Sequence, residues 1–493
     1  MNGNSTIDLT KIAHEAMIER GFIPDFSPAI YQEVSELKPL QISVSNTDTK
    51  DLRNLLWFSI DNDDSRDLDQ LTYATNLPQG KNKIYVAVAN VDSLVKSTSA
   101  INHRAEQNTT SVYTPTKIFP MLPEKLSTDL TSLNPNQDRL AIIFEGVLLP
   151  DGTLDEYSIY LGYVHNYAQL AYDGLSTWLD GNSPMPDKVK AVSGLETQIR
   201  LQDAISQQLA TTRQKLGALS FETIEANPII ANGVPQSISK TVQNRARILI
   251  ENFMIVANTI SARYSEANKL STFMRVVTTP KYWDKIVQVA AEYGEKLPMT
   301  PDAPALEQFL LKQKMKDPVR FPDLSLTVIK LLGRGEYQLS IPGKPSPGHF
   351  GLALKSYSQS TAPNRRFPDL ITQRLLLASI TKQPSPYTVD QLKDLAVHCT
   401  QKEDDADKIE RRMKKSAAAI ILSSSIGKEF DGIMTGCGEA GSWVRIFDPP
   451  VDGKLVKGFN VDVGDRVRVK LIYTDPLKGF IDFTFVSKMP QGK

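Results

Sequence analysis

Apolar residues first recur at helical spacing in LTKIAHEAMIERGF (9–22). This run halts at Gly21 and is followed by Pro24 and Pro28, which predicts one helix inside a short cap over residues 1–50. Past about residue 55 the period shortens. LLWFSI (55–60) and KIYVAVANV (83–91) are brief, β-branched and aromatic-rich, so both read as strands. RLAIIFEGVLL and LDEYSIYLGYV, with PDG between them (139–164), predict a hairpin. From about 186 to 296 the pattern reads as helical, most strongly over 240–268. Residues 297–350 read as proline-punctuated loop. Helices are expected again in DLITQRLLLASI, after Pro368, and at 402–424. The last 70 residues alternate in five short runs separated by glycine turns, which predicts a small OB-type barrel. The expected class is α+β, with a cap over 1–50, a main domain over 51–424 and a barrel over 425–493.

Composition narrows the function classes. A chain of 493 residues is too long for one simple core. Its 56 basic and 56 acidic residues cancel, so net charge offers no support for a nucleic-acid partner unless the positive charge is gathered in one place. Cys399 and Cys437 are the only cysteines, which excludes a disulfide framework and a cysteine-built zinc site. No apolar run approaches the roughly 20 residues that a membrane span needs. MNGNSTIDLTK lacks a signal-peptide core, and the chain reads as cytoplasmic.

The chemistry concentrates in SIDNDDSRDLDQL (59–71), which carries five aspartates between Asp61 and Asp69. Carboxylates this close repel one another unless a positive group sits among them. A calcium loop of the EF-hand type needs Gly at its sixth and Glu at its twelfth position, which here are Arg66 and Thr72. That leaves a solvated acidic loop or an all-oxygen site for a hard divalent ion, and the flanking apolar strands favour the ion. In RILIENFMIVAN, Glu251 is one of very few polar groups on an apolar helix segment. A buried carboxylate needs a specific partner, either a structural arginine or a substrate hydroxyl such as a ribose 2′-OH. The five histidines show no zinc or triad spacing, and there is no G-x-S-x-G elbow, P-loop or dinucleotide fingerprint. A metal-dependent phosphodiesterase leads, and a non-catalytic nucleic-acid binder follows.

Four blocks in order sharpen this. IDNDDSRDLDQ, then VAVANVDSLV with SVYTPTKIFPMLPEKLSTDLTSLNP (111–135), then GHFGLALKSYSQSTAPNRRFPDLITQRLL (348–376), and finally the terminal barrel, are similar to the blocks of the ribonuclease II/ribonuclease R family. Those are hydrolytic 3′→5′ exoribonucleases with an RNB catalytic domain. The resemblance implies a mixed sheet surrounded by helices, with a C-terminal OB barrel of the S-one type. It implies a monomer that takes single-stranded RNA, uses Mg²⁺ with Mn²⁺ as an alternative, has no membrane partner, and releases nucleoside 5′-monophosphates. Asp61, Asp67 and Asp69 match three of its four metal-site aspartates, Asp69 being the indispensable one. Arg365 matches the arginine that holds the scissile phosphate. Tyr113 and Phe221 match aromatics that clamp the terminal bases. Tyr172 and Glu251 match the pair that selects RNA over DNA. Glu410 aligns with an acidic residue near the active site.

The departures are specific. Gln70 stands where the family has its fourth aspartate, with Asp63 or Asp64 as candidates to restore the charge. The arginine motif reads TAPNRRF, with Ala362 for Ser, Asn364 for Ile and Phe367 for Tyr. About 50 residues leave no room for the cold-shock barrels that often precede the catalytic domain, so a more open RNA entrance is expected. The rival reading is a catalytically impaired RNA binder, marked by Gln70, that protects or regulates RNA.

Overall fold

The turn at Pro150–Gly152, where Gly152 takes a φ of +82° that L side chains resist, joins the two longest strands of the molecule. The computed structural model describes residues 7–40, 49–241, 243–278, 280–344, 346–438, 441–457 and 461–489. It opens on α1 (Leu9–Glu19), capped by Asp8, and α2 (Pro28–Glu36), capped by Ser27 with Pro28 in its first turn. The main sheet then begins with β1 (Thr49–Asp51), β2 (Trp57–Asp61), β3 (Gln70–Asn76) and β4 (Asn82–Ala89). After α3 (Ala100–Asn108) and the small pair β5 (Val112–Tyr113) and β6 (Ile118–Phe119), the hairpin strands β7 (Asp138–Leu148) and β8 (Leu154–Ala171) complete it.

The sheet order is β1-β8-β2-β3-β4-β7, and β7 pairs back onto β8, so the hydrogen bonding returns on itself. The sheet is mixed: β8 is parallel to β1 and β2 and antiparallel to β7. Side chains alternate between two apolar faces. Val86, Val88, Ile142 and Phe144 enter one core, while Ala87, Ala89, Ala141 and Ile143 enter the other. Burial on both faces explains why KIYVAVANV has no polar alternation.

Helices α4 (Tyr172–Leu179), α5 (Asp187–Lys190) and α6 (Leu195–Lys215) lead to the hairpin β9 (Glu225–Ala231) and β10 (Val234–Thr241). Next come α7 (Arg245–Ala267), β11 (Thr272–Val276), α8 (Trp283–Glu292), α9 (Ala303–Lys316), α10 (Phe321–Leu332) and β12 (Glu336–Ser340). Helices α11 (Phe367–Ile380) and α12 (Val389–Leu422) precede the barrel. Helix α7 covers one sheet face through Leu249, Phe253 and Ile260, and α11 covers the other through Phe367, Leu370 and Ile371. Helix α12 is the spine of the molecule. Its Ile409 and Met413 pack on α1, and its Ala419 and Leu422 enter the barrel core.

Strands β13 (Glu429–Gly438), β14 (Gly441–Phe447), β15 (Pro450–Lys457), β16 (Arg466–Asp475) and β17 (Phe480–Lys488) close into the expected five-stranded barrel.

Several local expectations are corrected. The stretch 186–296 is not wholly helical, because β9, β10 and β11 lie within it. Asn232 and Gly233 both have positive φ, the two-residue turn that Asn-Gly supports. The stretch 297–350 is not wholly loop, because α9, α10 and β12 lie within it. Pro304 and Pro322 sit in the first turns of α9 and α10, so proline there marks helix starts. Helix α12 begins at Val389, behind a Thr388–Gln391 capping box, and not at 402. Among the described residues, no helix is long and apolar enough to cross a membrane.

Candidate active site

Strands β2 and β3 pair at a single register position, Phe58 with Thr72, and then diverge. The divergence leaves residues 62–69 as a loop across the end of the sheet. Four hydrogen bonds pin that loop: Gln169 Nε2 to the Ser65 carbonyl at 2.8 Å, Ser132 Oγ to the Arg66 carbonyl at 2.8 Å, and the Leu133 and Ala89 amides to the Leu68 and Asp69 carbonyls at 2.9 Å each. Asp69 is thereby driven inward until only 2% of it is exposed.

A second loop, 361–366, descends onto the first. Asp369, wholly buried at the start of α11, accepts from the Ala362 amide at 2.9 Å and from Arg366 Nη2 at 2.7 Å. The same loop is laced to the segment before β5, where the Ser111 amide donates to the Arg365 carbonyl at 2.9 Å. The two adjacent arginines therefore divide their work. Arg366 holds the loop from inside, while the Arg365 side chain, 43% exposed, reaches over Asp69 with its Nε 3.8 Å from Oδ2.

Asp69 Oδ1 accepts from the Asn364 amide at 3.0 Å, whereas its Oδ2 is buried and accepts no hydrogen bond. Burial pushes the Asp69 carboxyl up to about 8, against the pull of Arg365 and the Asn364 N–H, with Asp67 and Asp369 pushing the same way as burial. Asp67 is likewise raised, first by burial and also by Asp61, with Arg365 opposing. The Tyr113 hydroxyl donates to Asp67 Oδ2 at 3.2 Å, and the Tyr113 amide donates to Glu410 Oε1 on α12 at 2.8 Å. Burial raises Glu410 too. Asp61 ends β2 beside Ala171 of β8, so the first residue of α4, Tyr172, follows directly. Burial and then Asp61 push the Tyr172 hydroxyl up, while Arg247 and Arg365 pull it down.

Asp61, Asp67, Asp69, Arg365, Tyr113, Glu410 and Tyr172 thus belong to one electrostatic neighbourhood. The expected three-carboxylate cage is nevertheless open: among the described residues, no three acidic, histidine or cysteine side chains stand close enough to hold one ion. Asp61 Oδ1 is occupied by the Asn62 amide at 2.7 Å and the Ser65 hydroxyl at 3.0 Å. Asp67 and the orphaned Oδ2 of Asp69 do fit a hard divalent ion, since Mg²⁺ is commonly held by one or two carboxylates with phosphate oxygens completing the shell. The structure does not draw Asp63 toward Gln70. Asp63 is exposed and lines a cavity of about 240 Å³ with Gly174 and Lys188, and Asp64 is exposed on the same turn.

Phe221 and Glu251 share a neighbouring cavity of about 160 Å³. Glu251 corrects an expectation. It is not buried, its side chain being 48% exposed, and it accepts from Gln243 Nε2 at 2.9 Å with Arg213 at 3.7 Å. Helix α7 turns its apolar side to the sheet and Glu251 to the cavity. The group that burial penalises is Arg213, whose guanidinium reaches Asn252 Oδ1 at 2.6 Å.

A family model described as the RNB domain matches residues 49–382. The chain belongs to that family. A second model, the RNase II-type exonuclease C-terminal S1 domain, matches residues 428–486, the barrel. Ribonuclease R of Escherichia coli is 28% identical over 526 aligned residues, covering 99% of this chain and 63% of that relative. The chain thus spans less than two thirds of that relative's length. Among solved structures, Mycoplasma genitalium RNase R in complex with ribose methylated single-stranded RNA superposes with a TM-score of 0.87 at 24% identity, covering 97% of this chain and 78% of that one. Yeast Ssd1, a pseudonuclease, superposes with a TM-score of 0.71 at 17% identity, covering 94% and 58%. At these identities the likeness carries the fold alone, and the RNB fold is common to an RNase R and to a pseudonuclease.

Three residues of this RNB site were given no role by the sequence reading. Asn364, wholly buried, orients Asp69 through its amide N–H and accepts from Thr131 Oγ1 at 2.5 Å. Asp369 holds the arginine loop. Arg247 stacks on Tyr172. The one signal available for Arg247 was a cation four residues before Glu251 on the same helix face.

Proposed function

We propose that this RNB protein hydrolyses single-stranded RNA from the 3′ end, with Mg²⁺ or Mn²⁺ as cofactor, and releases nucleoside 5′-monophosphates. One observation carries the reading. A buried aspartate with an orphaned oxygen, Asp69, lies beneath an arginine that is half open to solvent and free to meet a phosphate, Arg365.

Asp67 and Asp69 would hold the divalent ion, with Asp61 at its edge. When bound, that ion supplies charge that polarises the phosphate and acidifies the attacking water. Arg365 would bind the non-bridging oxygens, for which a planar guanidinium is suited, and offset charge gathering there. The water oxygen forms a bond to phosphorus as the bond to the O3′ of the penultimate nucleotide breaks. Tyr113, tied to Asp67 and Glu410, keeps the acidic loop and the end nucleotide in register. Tyr172 and Glu251 would read the ribose hydroxyl, and Phe221 would stack on a base. The barrel would grip the incoming strand without regard to sequence. The reading describes a cytoplasmic monomer.

RNA binding without hydrolysis is the second reading, favoured by Gln70 and by the open carboxylate set. Incubation of 5′-labelled poly(A) with Mg²⁺, with and without EDTA, beside Asp69→Asn separates the two. Laddering that vanishes with EDTA and in the variant supports hydrolysis, and intact RNA with a clear gel shift supports the binder.

A further inference from the structure

Arg247 is a cation that the mechanism above leaves idle. It is the third residue of α7, its guanidinium carbon lies 4.4 Å from the centre of the Tyr172 ring, and its Nη2 donates to Asn62 Oδ1 at 3.0 Å, one residue from Asp61. Its Nε is buried and donates to nothing, and among the described residues Arg247 forms no ion pair. Other arginines of the domain are paired with carboxylates, although Arg366 also keeps a buried Nε without a partner. Arg245 is bidentate to Asp203 at 2.8 and 2.7 Å, Arg366 pairs with Asp369 at 2.7 Å, and Arg374 pairs with Asp92 at 2.7 Å. A guanidinium over an aromatic face that lacks a carboxylate partner keeps N–H donors for an anion.

Position identifies the anion. Tyr172 feels two guanidinium groups, Arg247 stacked on its ring and Arg365 over Asp69. A ribose lying against Tyr172 would therefore have two guanidinium groups near it. In a strand entering 3′ end first, the terminal ribose carries one phosphate and the penultimate ribose carries two, the scissile one and the next.

We propose that the Arg247 guanidinium donates to a non-bridging oxygen of the second internucleotide phosphate from the 3′ end, while Arg365 holds the first. The Tyr172 ring, 4.4 Å from the guanidinium carbon, holds the group in place and thereby sets the spacing between the two phosphates. The identity of the ligand rests on the ribonuclease reading, whereas the contact itself does not require hydrolysis.

The test is a coupling cycle run in EDTA. Oligo(A) carries a neutral methylphosphonate at the first, second or third linkage from its 3′ end, and binding is measured for wild type and Arg247→Met. Neutralising the second linkage should weaken wild-type binding roughly tenfold. Arg247→Met should weaken all-phosphate RNA by a similar factor and lose nothing more when the second linkage is neutral. Its slope of log affinity against log salt should fall by about 0.7, the loss of one phosphate contact. Arg247→Gln, which keeps a donor for Asn62, should behave as Arg247→Met does and serves if the Met variant does not fold. Undiminished sensitivity of both variants at the second linkage overturns the proposal. Hydrolysis of all-phosphate RNA with Mg²⁺ is scored separately. Laddering with no coupling removes the Arg247 contact and leaves the function, while coupling with no laddering does the reverse. A folded wild type that binds no RNA overturns both.

Discussion

Replacing Asp69 by Asn should stabilise the metal-free protein at neutral and alkaline pH while abolishing turnover. The carboxyl is buried, one oxygen lacks a donor, and its proton is held up to about 8 against an ordinary value of 3.8. Because the folded value lies above the unfolded one, its contribution to stability is intact below pH 3.8. That contribution falls as the pH rises and is fully lost above about 8. At about 1.4 kcal/mol per pH unit, the interval from 3.8 to 7 amounts to roughly 4 kcal/mol. Asn does not titrate, so it escapes this loss. It does add an unpaired N–H, costing about 1–3 kcal/mol at every pH. The signature is therefore the slope and not the offset. Urea unfolding in EDTA, followed by tryptophan fluorescence between pH 4.5 and 8.5, should show Asp69→Asn gaining on wild type up to about pH 8 and levelling off beyond it. Added Mg²⁺ should then stabilise wild type and leave the variant unmoved. Unfolding curves that stay parallel with pH would show that the Asp69 carboxylate is not desolvated, and the account of the acidic pocket would fail.

Asp369→Ala removes the partner of buried Arg366 and the anchor of the arginine loop, and should cost about 3–5 kcal/mol in thermal or urea unfolding; an unchanged transition would show that the loop is held by other contacts. Glu251→Gln, at an exposed position bonded to Gln243, should shift stability by less than about 0.5 kcal/mol yet narrow the preference for RNA over DNA in competition assays. A preserved preference would assign Glu251 to Arg213 alone. In the barrel, a Cβ at Gly453 would lie 2.7 Å from the Ile481 carbonyl and closer still to the Phe483 ring. Gly453→Ala should therefore destabilise the barrel by about 1–3 kcal/mol and weaken RNA binding, leaving dinucleotide cleavage intact. A barrel that melts normally would contradict that packing.

Much of this architecture was legible because its signals are local. A β-branched run, a PDG turn and a row of glycine-separated strands each report their own conformation, and the five-stranded barrel and the β7–β8 hairpin followed from them. Errors came where one signal serves two structures. Proline clusters mark loops and helix starts alike, so α9 and α10 were read as loop. The Asn232-Gly233 turn was overlooked inside a stretch whose average texture is helical.

The site divides along the same line. That carboxylates crowd between two apolar strands, and that an arginine pair follows the TAPN stretch, is written in residue order. Which aspartate is buried, and which arginine faces out, is not. Asp69 is desolvated because Ser132 and Gln169 hold its loop while Ala89 and the 361–366 loop close on the residue itself, four segments distant in the chain. Glu251 was misjudged for the same reason, since a helix with apolar residues on most sides still has one direction that meets a cavity instead of the sheet. Charge, chain order and local turn chemistry are properties of a residue and its neighbours. Burial and pairing belong to contacts between residues far apart in the chain, such as Asn364 with Asp69, 295 positions away, and exist once the chain has closed on itself.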